Sequence, residues 1–381
     1  MKTAIIGLGK SGIAAGRILR GQGVTDITIF DDREGTSLAE FADGFDVTVI
    51  SPGIDPKKIP NYPKSFTSEI KLGLDAISPN TRVIAITGTD GKSTVTTLTA
   101  QILRGAGYNA IECGNFGYPL ADAVLDHGAD TIFVLELSSY QLDLLPEKPF
   151  FDVACILNIA PDHLDRYGTI ENYTASKHRI KNMLKPNGKF FDSAPHIEYS
   201  NYPLPGAHNK TNLDFAIELC SSVAILPDNL SPIIANLAGL EHRMEPVPTT
   251  DGLYWYNDSK GTTIQAVSNA LKSFDSRVIL LLGGRDKNLD FTPLVDDINA
   301  RCDTIVLFGE AADKISGQIK DHVTQPIIIT TSLKDAVEKA RMAAMSGSHI
   351  LLSPGCTSWD EFKSFEERGK AFKEYVKNEQ V

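Results

Sequence analysis

The chain has 381 residues, 42% hydrophobic and 22% charged, a mix that suits an ordinary globular protein of two or three domains and excludes a disordered or fibrous one. With 37 basic against 48 acidic side chains and a net charge of −11, it lacks the Lys and Arg excess from which general nucleic-acid and anionic-membrane binders draw their affinity. Cys113, Cys155, Cys220, Cys302 and Cys356 stand far apart with no C-x-x-C pair, so neither a disulfide framework nor a zinc knuckle is legible and a reducing compartment is expected.

The start, Ile5-Ile6-Gly7 with Lys10 soon after, holds too short an apolar run for a secretory signal, and no stretch nears the roughly 20 apolar residues of a membrane span. A cytoplasmic protein is expected. In chain order, short β-branched runs alternate with longer segments of helical period, the pattern of α/β units on a mostly parallel sheet. The first block has strands at Thr3 to Ile6, Asp26 to Phe30 and Asp46 to Ile50, with a helix from about Ser11 to Arg20, and ends near the turn-forming Ser78-Pro79-Asn80. A second block has strands at Val83 to Thr87, Thr131 to Leu137 and Val153 to Asn158, and a helix around Ile170 to Met183. The third places strands near Leu253 to Tyr256, Val278 to Leu282, Thr304 to Phe308, Ile327 to Ile329 and His349 to Leu352. Three α/β domains are expected, at 1–79, 80–246 and 247–381: Rossmann-like, P-loop ATPase-like and doubly wound.

Two loops have the chemistry of phosphate binding. Gly7-Leu8-Gly9-Lys10-Ser11-Gly12 follows a strand and opens a helix, where backbone N–H groups and the helix dipole meet an anion. Asp31 and Asp32 end the next strand, about 20 residues on, where an acid can accept from a ribose or base. Nothing there distinguishes NAD from another nucleotide. Thr87-Gly88-Thr89-Asp90-Gly91-Lys92-Ser93-Thr94 ends as a P-loop does, with Lys for the β and γ phosphates and Ser for magnesium. Its front half is shortened, because Gly88 stands three residues before Gly91 and not five.

Glu136 ends the strand beside this loop, where a carboxylate can hold magnesium against a triphosphate. His163, after another apolar strand in Asn158-Ile159-Ala160-Pro161-Asp162-His163, is open between a plain loop histidine and a ligand. Lys177 by itself reads as a solvated helix lysine.

The shortened loop resembles that of the Mur ligases and folylpolyglutamate synthetases, Thr-Gly-Thr-x-Gly-Lys-Ser/Thr, and the resemblance extends over all three blocks. It implies that Gly88, Thr89, Asp90, Gly91, Lys92, Ser93 and Thr94 bind ATP. It further implies that His163 serves near a second magnesium and the substrate, and that Lys177 is carbamylated to give that ion an anionic oxygen. Ser93, Glu136, His163 and Lys177 are thus the expected metal set. Asn115 in Gly114-Asn115-Phe116-Gly117 is similar to the family turn that contacts substrate. Asn209 in Gly206-Ala207-His208-Asn209 is implied at adenine, Arg243 at the γ-phosphate once domains close, and Asp258 at the ribose. The roughly 30 residues from Lys177 to Asn209 are fewer than the family shows, which implies that accessory sheet is missing from the central domain.

Residues 353–369, Ser-Pro-Gly-Cys-Thr-Ser-Trp-Asp-Glu-Phe-Lys-Ser-Phe-Glu-Glu-Arg-Gly, look like the signature of the D-glutamate-adding branch of the family. On that resemblance Ser358 and Phe365 line an amino-acid pocket whose carboxylates meet Lys260 and Thr262. Ser11, Asp31 and Arg33 become contacts to a UDP-sugar. The implied activity is an ATP-dependent amide ligation of D-glutamate to UDP-N-acetylmuramoyl-L-alanine through an acyl phosphate, in peptidoglycan precursor synthesis. ATP and two magnesium ions are the implied cofactors, small molecules the only partners, and a monomer without nucleic-acid or membrane contacts is expected. A folylpolyglutamate synthetase-like ligase and a nucleotide-gated binding protein without ligase chemistry are the alternatives.

Overall fold

Apolar strand runs separated by helices build three sheets in the computed structural model, which describes every residue except 34, 43, 61, 64, 200, 205, 287 and 379–381, and every side chain of the rest except those of 165, 207 and 378. β1 (Thr3–Ile6), β2 (Ile27–Phe30) and β3 (Val47–Ile50) form a parallel sheet in the order β2-β1-β3. β4 (Val83–Thr87), β5 (Ala110–Gly114), β6 (Ile132–Glu136), β7 (Phe151–Ile156) and β8 (Leu184–Phe191) form the second, also parallel, in the order β5-β6-β4-β7-β8. The third contains β9 (Glu245–Val247), β10 (Tyr254–Asn257), β11 (Val278–Gly283), β12 (Cys302–Phe308), β13 (Ile327–Ile329) and β14 (His349–Gly355). Its order is β13-β12-β11-β14-β10-β9, with only β9 antiparallel.

The third sheet shows why its strands read as continuous apolar runs. Val278, Leu280 and Leu282 point to one face with Ile305, Leu307 and Leu351, against Val267, Leu271, Phe291 and Ile298. Ile279, Leu281, Val306, Phe308, Ile350 and Leu352 point to the other, against Leu333, Val337, Phe372 and Val376. Both faces are covered by helices, so alternate residues are equally buried, each such side chain contributing about 1.5–3 kcal/mol.

Three strands lie outside the expected set: β5, β8 and β9. β8 contains Pro186-Asn187-Gly188, with Asn187 at φ 69° and a register shift against β7, so its sequence reads as a turn. The helix expected from Ile170 to Met183 is α-helical over Ile170–His178 and then tightens to a 3₁₀ turn over Arg179–Met183. The boundary expected after residue 246 falls within β9, which pairs with β10.

By compactness the chain divides into two units: Met1–Pro203 with His208–Leu237, and Leu204–Ala207 with Ala238–Val381. The first unit holds two sheets, joined where helix Glu69–Ala76 meets helix Leu120–Asp126. A Cβ on Gly73 would come within 2.7 Å of Leu120, so glycine permits this approach. Glu69 Oε1 accepts from the Ala121 N–H at 2.7 Å, and Arg17 pairs with Asp122 at 3.0 Å. After β8, no described residue between Asp192 and Gly206 lies in a strand. That segment is pinned to helix Ala207–Val223 by buried Asp214, which accepts from the Ile197 N–H at 3.1 Å and the Tyr199 hydroxyl at 2.6 Å.

All five cysteines are buried and none is in a disulfide, and burial pushes the Cys302 thiol up to about 12. Among the described residues no helix is long and apolar enough to cross a membrane.

Burial raises the Glu69 carboxyl from its ordinary 4.5 to about 7, and its Oε2 has no hydrogen-bond partner among the described residues. A raised acid favours the fold in its protonated form, so that contribution is complete below about pH 4.5 and is lost as pH rises through 7. Glu69→Gln, which keeps the acceptor for Ala121, should therefore be more stable than the native chain at pH 8, on the order of 1–3 kcal/mol, and close to it at pH 5. Urea unfolding at the two pH values checks this.

Candidate active site

At the carboxyl end of β4 the chain turns through Gly88 to Gly91 into helix Lys92–Gly105. Gly91 caps that helix with φ 80°, a left-handed backbone that side chains other than glycine enter at a cost. Asn158, beyond β7, holds the loop twice: its Oδ1 accepts from the Asp90 N–H at 2.9 Å, and its Nδ2 donates to the Asp90 carbonyl at 3.1 Å. The Thr89 N–H donates to the Asn158 carbonyl at 2.9 Å. Lys92 Nζ donates to the carbonyls of Gly88 (3.0 Å) and Thr89 (2.7 Å). Lys177 Nζ reaches the same Gly88 carbonyl at 2.7 Å. Lys177 is buried, and desolvation followed by the charge of Lys92 pulls its ammonium down to about 7.

Glu136 ends β6, next to β4, and is buried. Its Oε1 accepts from Asn115 Nδ2 at 2.7 Å, while Oε2 has no partner among the described residues. His163 is exposed in left-handed backbone at φ 52°, with Nε2 3.4 Å from Asp162 and its ring 4.9 Å from that of Tyr140. The Lys177 ammonium lies 4.6 Å from the Tyr173 ring, and the Tyr173 hydroxyl is 3.3 Å from Thr89 Oγ1. Lys92, Glu136, Asn115 and Lys177 thus surround one loop. Ser93 and Thr94 open its helix, and Asn209 lies buried on helix Ala207–Val223. Asn212, one turn on, meets the loop itself: a Cβ at Gly91 would come 2.7 Å from its Oδ1.

The first sheet repeats the strand–loop–helix device. Gly12 lets helix Lys10–Gly21 close on the turn, since a Cβ there would come 2.0 Å from the Gly7 carbonyl oxygen. Ser11 stands in the helix's first turn. Buried Asp31 accepts from the Leu8 N–H at 2.7 Å, the Arg33 N–H at 2.9 Å and the Arg33 guanidinium at 3.2 Å. Arg33 and those backbone donors hold its carboxyl well below the usual range. Both Asp31 oxygens are therefore engaged in shaping the loop.

In the second unit, Asp258 to Thr262 follow β10 and residues 356–358 follow β14, its neighbour. Asp258 turns inward: Oδ2 accepts from Ser353 Oγ at 2.8 Å, and burial raises its carboxyl to about 7. A Cβ on Gly261 would come 2.3 Å from that oxygen, so glycine at 261 makes room for this orientation. Arg368, fully buried, ties the two loops. It donates from Nε to Ser259 Oγ (3.0 Å), from Nη2 to the carbonyls of Ser259 (2.9 Å) and Cys356 (3.1 Å), and from Nη1 to that of Thr357 (3.1 Å). Ser259 Oγ donates in turn to the Phe365 carbonyl at 2.8 Å, and Lys260 Nζ lies 5.8 Å from the Phe365 ring. Ser358 is buried, the Thr262 N–H donates to the Lys260 carbonyl, and Arg243 is exposed.

A family model described as Mur ligase middle domain matches residues 86–196, and one described as Mur ligase, glutamate ligase domain, matches residues 242–356. A UDP-N-acetylmuramoylalanine–D-glutamate ligase of Caldicellulosiruptor saccharolyticus is 33% identical, with 98% of each chain covered. The chain belongs to the Mur ligase family. It is an ATP-dependent amide ligase. A protein of the same name from Protochlamydia amoebophila is 35% identical over 99% of this chain and 98% of its own. The solved structure of UDP-N-acetylmuramate-alanine ligase MurC from Thermotoga maritima shares the fold, with a TM-score of 0.60 and 16% identity over 98% of both chains. The alignment with the Caldicellulosiruptor protein runs over 452 positions, more than the 381 residues here, so that relative has segments this Mur ligase lacks.

Magnesium fits the residues beside the phosphate loop. The unpartnered, buried Oε2 of Glu136 and the Ser93 hydroxyl are hard oxygen donors. Among the described residues no three His, Cys, Asp or Glu side chains form a metal cage, and an ion held through one carboxylate and substrate phosphates needs none.

Sequence reasoning passed over Asn158 as a loop clamp, Asn212 and Arg368. The Asn209-x-x-Asn212 spacing, i and i+3 on one helix face, is a signal that was there to be read. Arg368→Ala would remove four hydrogen bonds, to the carbonyls of Ser259, Cys356 and Thr357 and the hydroxyl of Ser259, and leave a cavity in their midst. It should lower the unfolding free energy by about 3–5 kcal/mol, measurable by denaturant titration.

Proposed function

We propose that this Mur ligase joins D-glutamate to UDP-N-acetylmuramoyl-L-alanine, a step of peptidoglycan precursor synthesis. Whole-length kinship with two proteins bearing that substrate pair in their names carries the reading. The fixed arrangement of residues 353–369 around Arg368 supports it.

A carboxylate is too poor an electrophile for an amine. The carboxylate oxygen therefore takes the γ-phosphoryl group of ATP as the bond to ADP breaks, giving an acyl phosphate. The amine of D-glutamate, having lost a proton, attacks the acyl carbon. A tetrahedral oxyanion forms, inorganic phosphate leaves with its bridging oxygen, and a second nitrogen proton is lost as the amide forms. The protein's part is positioning and charge neutralisation.

In this reading Gly88 to Thr94, with Asn209 and Asn212, take ATP, and Lys92 neutralises its β and γ phosphates. Arg243 is assigned to the nucleotide as well, whereas Asp258, expected at the ribose, turns its carboxylate inward onto Ser353 and shapes its loop. Ser11 and Arg33 contact the UDP part, Asp31 shapes the loop that does so, and Asn115 and His163 serve the sugar and acyl end. Lys260, Thr262, Ser358 and Phe365 take D-glutamate. Two magnesium ions supply further charge neutralisation when bound, one through Ser93 and Glu136, the other through His163 and carbamylated Lys177. All these groups come from one chain, so a monomer suffices, and both substrates are small soluble molecules of the cytoplasm.

Phosphate release in the presence of UDP-N-acetylmuramoyl-L-alanine should depend on D-glutamate and not be supported by L-glutamate; equal rates with either would overturn the reading. Lys92→Ala should lower turnover at least 10³-fold, with UDP-sugar affinity, read by calorimetry, unchanged. Lys177, drawn down to about 7, is largely the free amine at pH 8. There it can attack carbon dioxide, forming an N–C bond and releasing a proton. Removing carbon dioxide from the buffer should therefore reduce activity and bicarbonate should restore it. Full activity of Lys177→Ala would sink the carbamate assignment.

A further inference from the structure

Arg166 has no part in the assignments above. It lies in the one-turn segment Leu164–Tyr167, directly after His163. Its guanidinium sits 4.0 Å from the centroid of the Tyr140 ring, and Nη1 donates to the Pro52 carbonyl at 3.2 Å. Pro52 belongs to the turn after β3, where Ser51 Oγ donates to the carbonyl of Gly7 at 2.8 Å. The Tyr140 ring also stands 4.9 Å from the His163 imidazole and stacks on Tyr167 at 5.9 Å and 25°. The Tyr167 hydroxyl donates to Asp143 at 2.7 Å, so the stack rests on a fixed base. One row of contacts therefore runs from the glycine loop of the first sheet, through Ser51, Pro52, Arg166 and Tyr140, to His163.

A planar guanidinium fixes both distance and angle between what it stacks on and what it donates to. We propose that Arg166 is a positioning residue for the ligase reaction. It sets the register between the loop that takes the UDP part and the imidazole beside the acyl end, so that a nucleotide sugar spanning both presents its carboxylate where the phosphoryl group arrives. The inference rests on the substrate reading of the preceding subsection. A misplacement of about 1 Å between such groups costs roughly two orders of magnitude in rate, whereas Ser11 and Arg33, assigned to the UDP part itself, are not among the contacts of this row.

The test compares the native enzyme with Arg166→Ala, Arg166→Lys, Tyr140→Leu and the Arg166→Ala/Tyr140→Leu double variant. Steady-state phosphate release is measured against each substrate in turn, and UDP binding by calorimetry. For Arg166→Ala, kcat/KM for the UDP-sugar should fall about 10- to 100-fold, with the UDP Kd and the KM for ATP within about twofold. Arg166→Lys keeps the charge but not the planar fork and should stay nearer the Ala variant. The double variant should be no worse than Arg166→Ala alone, the non-additivity of residues acting through one another. An unchanged kcat/KM overturns the proposal, as does a loss shared equally by all substrates with a lowered melting temperature, or full additivity in the double variant. If the native enzyme itself releases no phosphate with D-glutamate, the substrate reading has failed and not the role of Arg166.

Discussion

Two ammonium groups share one backbone carbonyl, that of Gly88, and the second sheet is organised around this convergence. Like charges this close repel unless their surroundings compensate. Burial first, and then this repulsion, make Lys177 give up its proton more readily than a solvated lysine does. The carbonyl stays in place because Asn158 grips the next turn of the loop from both sides. Strand order makes the meeting possible. β4 lies between β6 and β7, so Glu136, the phosphate loop and Asn158 emerge side by side at the carboxyl ends of neighbouring parallel strands, where open α/β sheets place their ligands.

The other sheets use the same geometry for different ends. Gly7, Asp31 and Ser51 follow three adjacent strands of the first, and a carboxylate saturated by backbone and guanidinium donors stiffens the loop between them. In the third sheet the stiffening element is a cation. Among the described residues Arg368 is held by carbonyls and one hydroxyl and not by a carboxylate, an arrangement that suits a side chain which keeps its proton even when buried.

The sequence made the strand-loop-helix units legible because glycine, lysine and β-branched runs carry local meaning. Val278 to Leu282 is a buried parallel strand whatever surrounds it. β5 and β8 escaped because Glu112 interrupts one and Pro186-Asn187-Gly188 the other; their pairing is decided by neighbours distant in the chain. Chemical character was readable at Lys92, Glu136 and Lys177, but direction was not. Nothing local says that Asn115 turns toward Glu136, that Asp258 points into the core because residue 261 lacks a Cβ, or that an arginine near the carboxyl terminus is interior. The short connection after Lys177 was evident by count alone. That Asp214 fastens it to a helix required the folded chain.

The five interior thiols have a practical consequence. Each is buried, and at Cys113, Cys155, Cys220 and Cys302 burial disfavours the thiolate that alkylating reagents need. The native chain thus offers a silent background for maleimide chemistry. A single cysteine introduced on the surface of either unit would carry a fluorophore or spin label at one defined place, with no need to strip out the natural sulfurs.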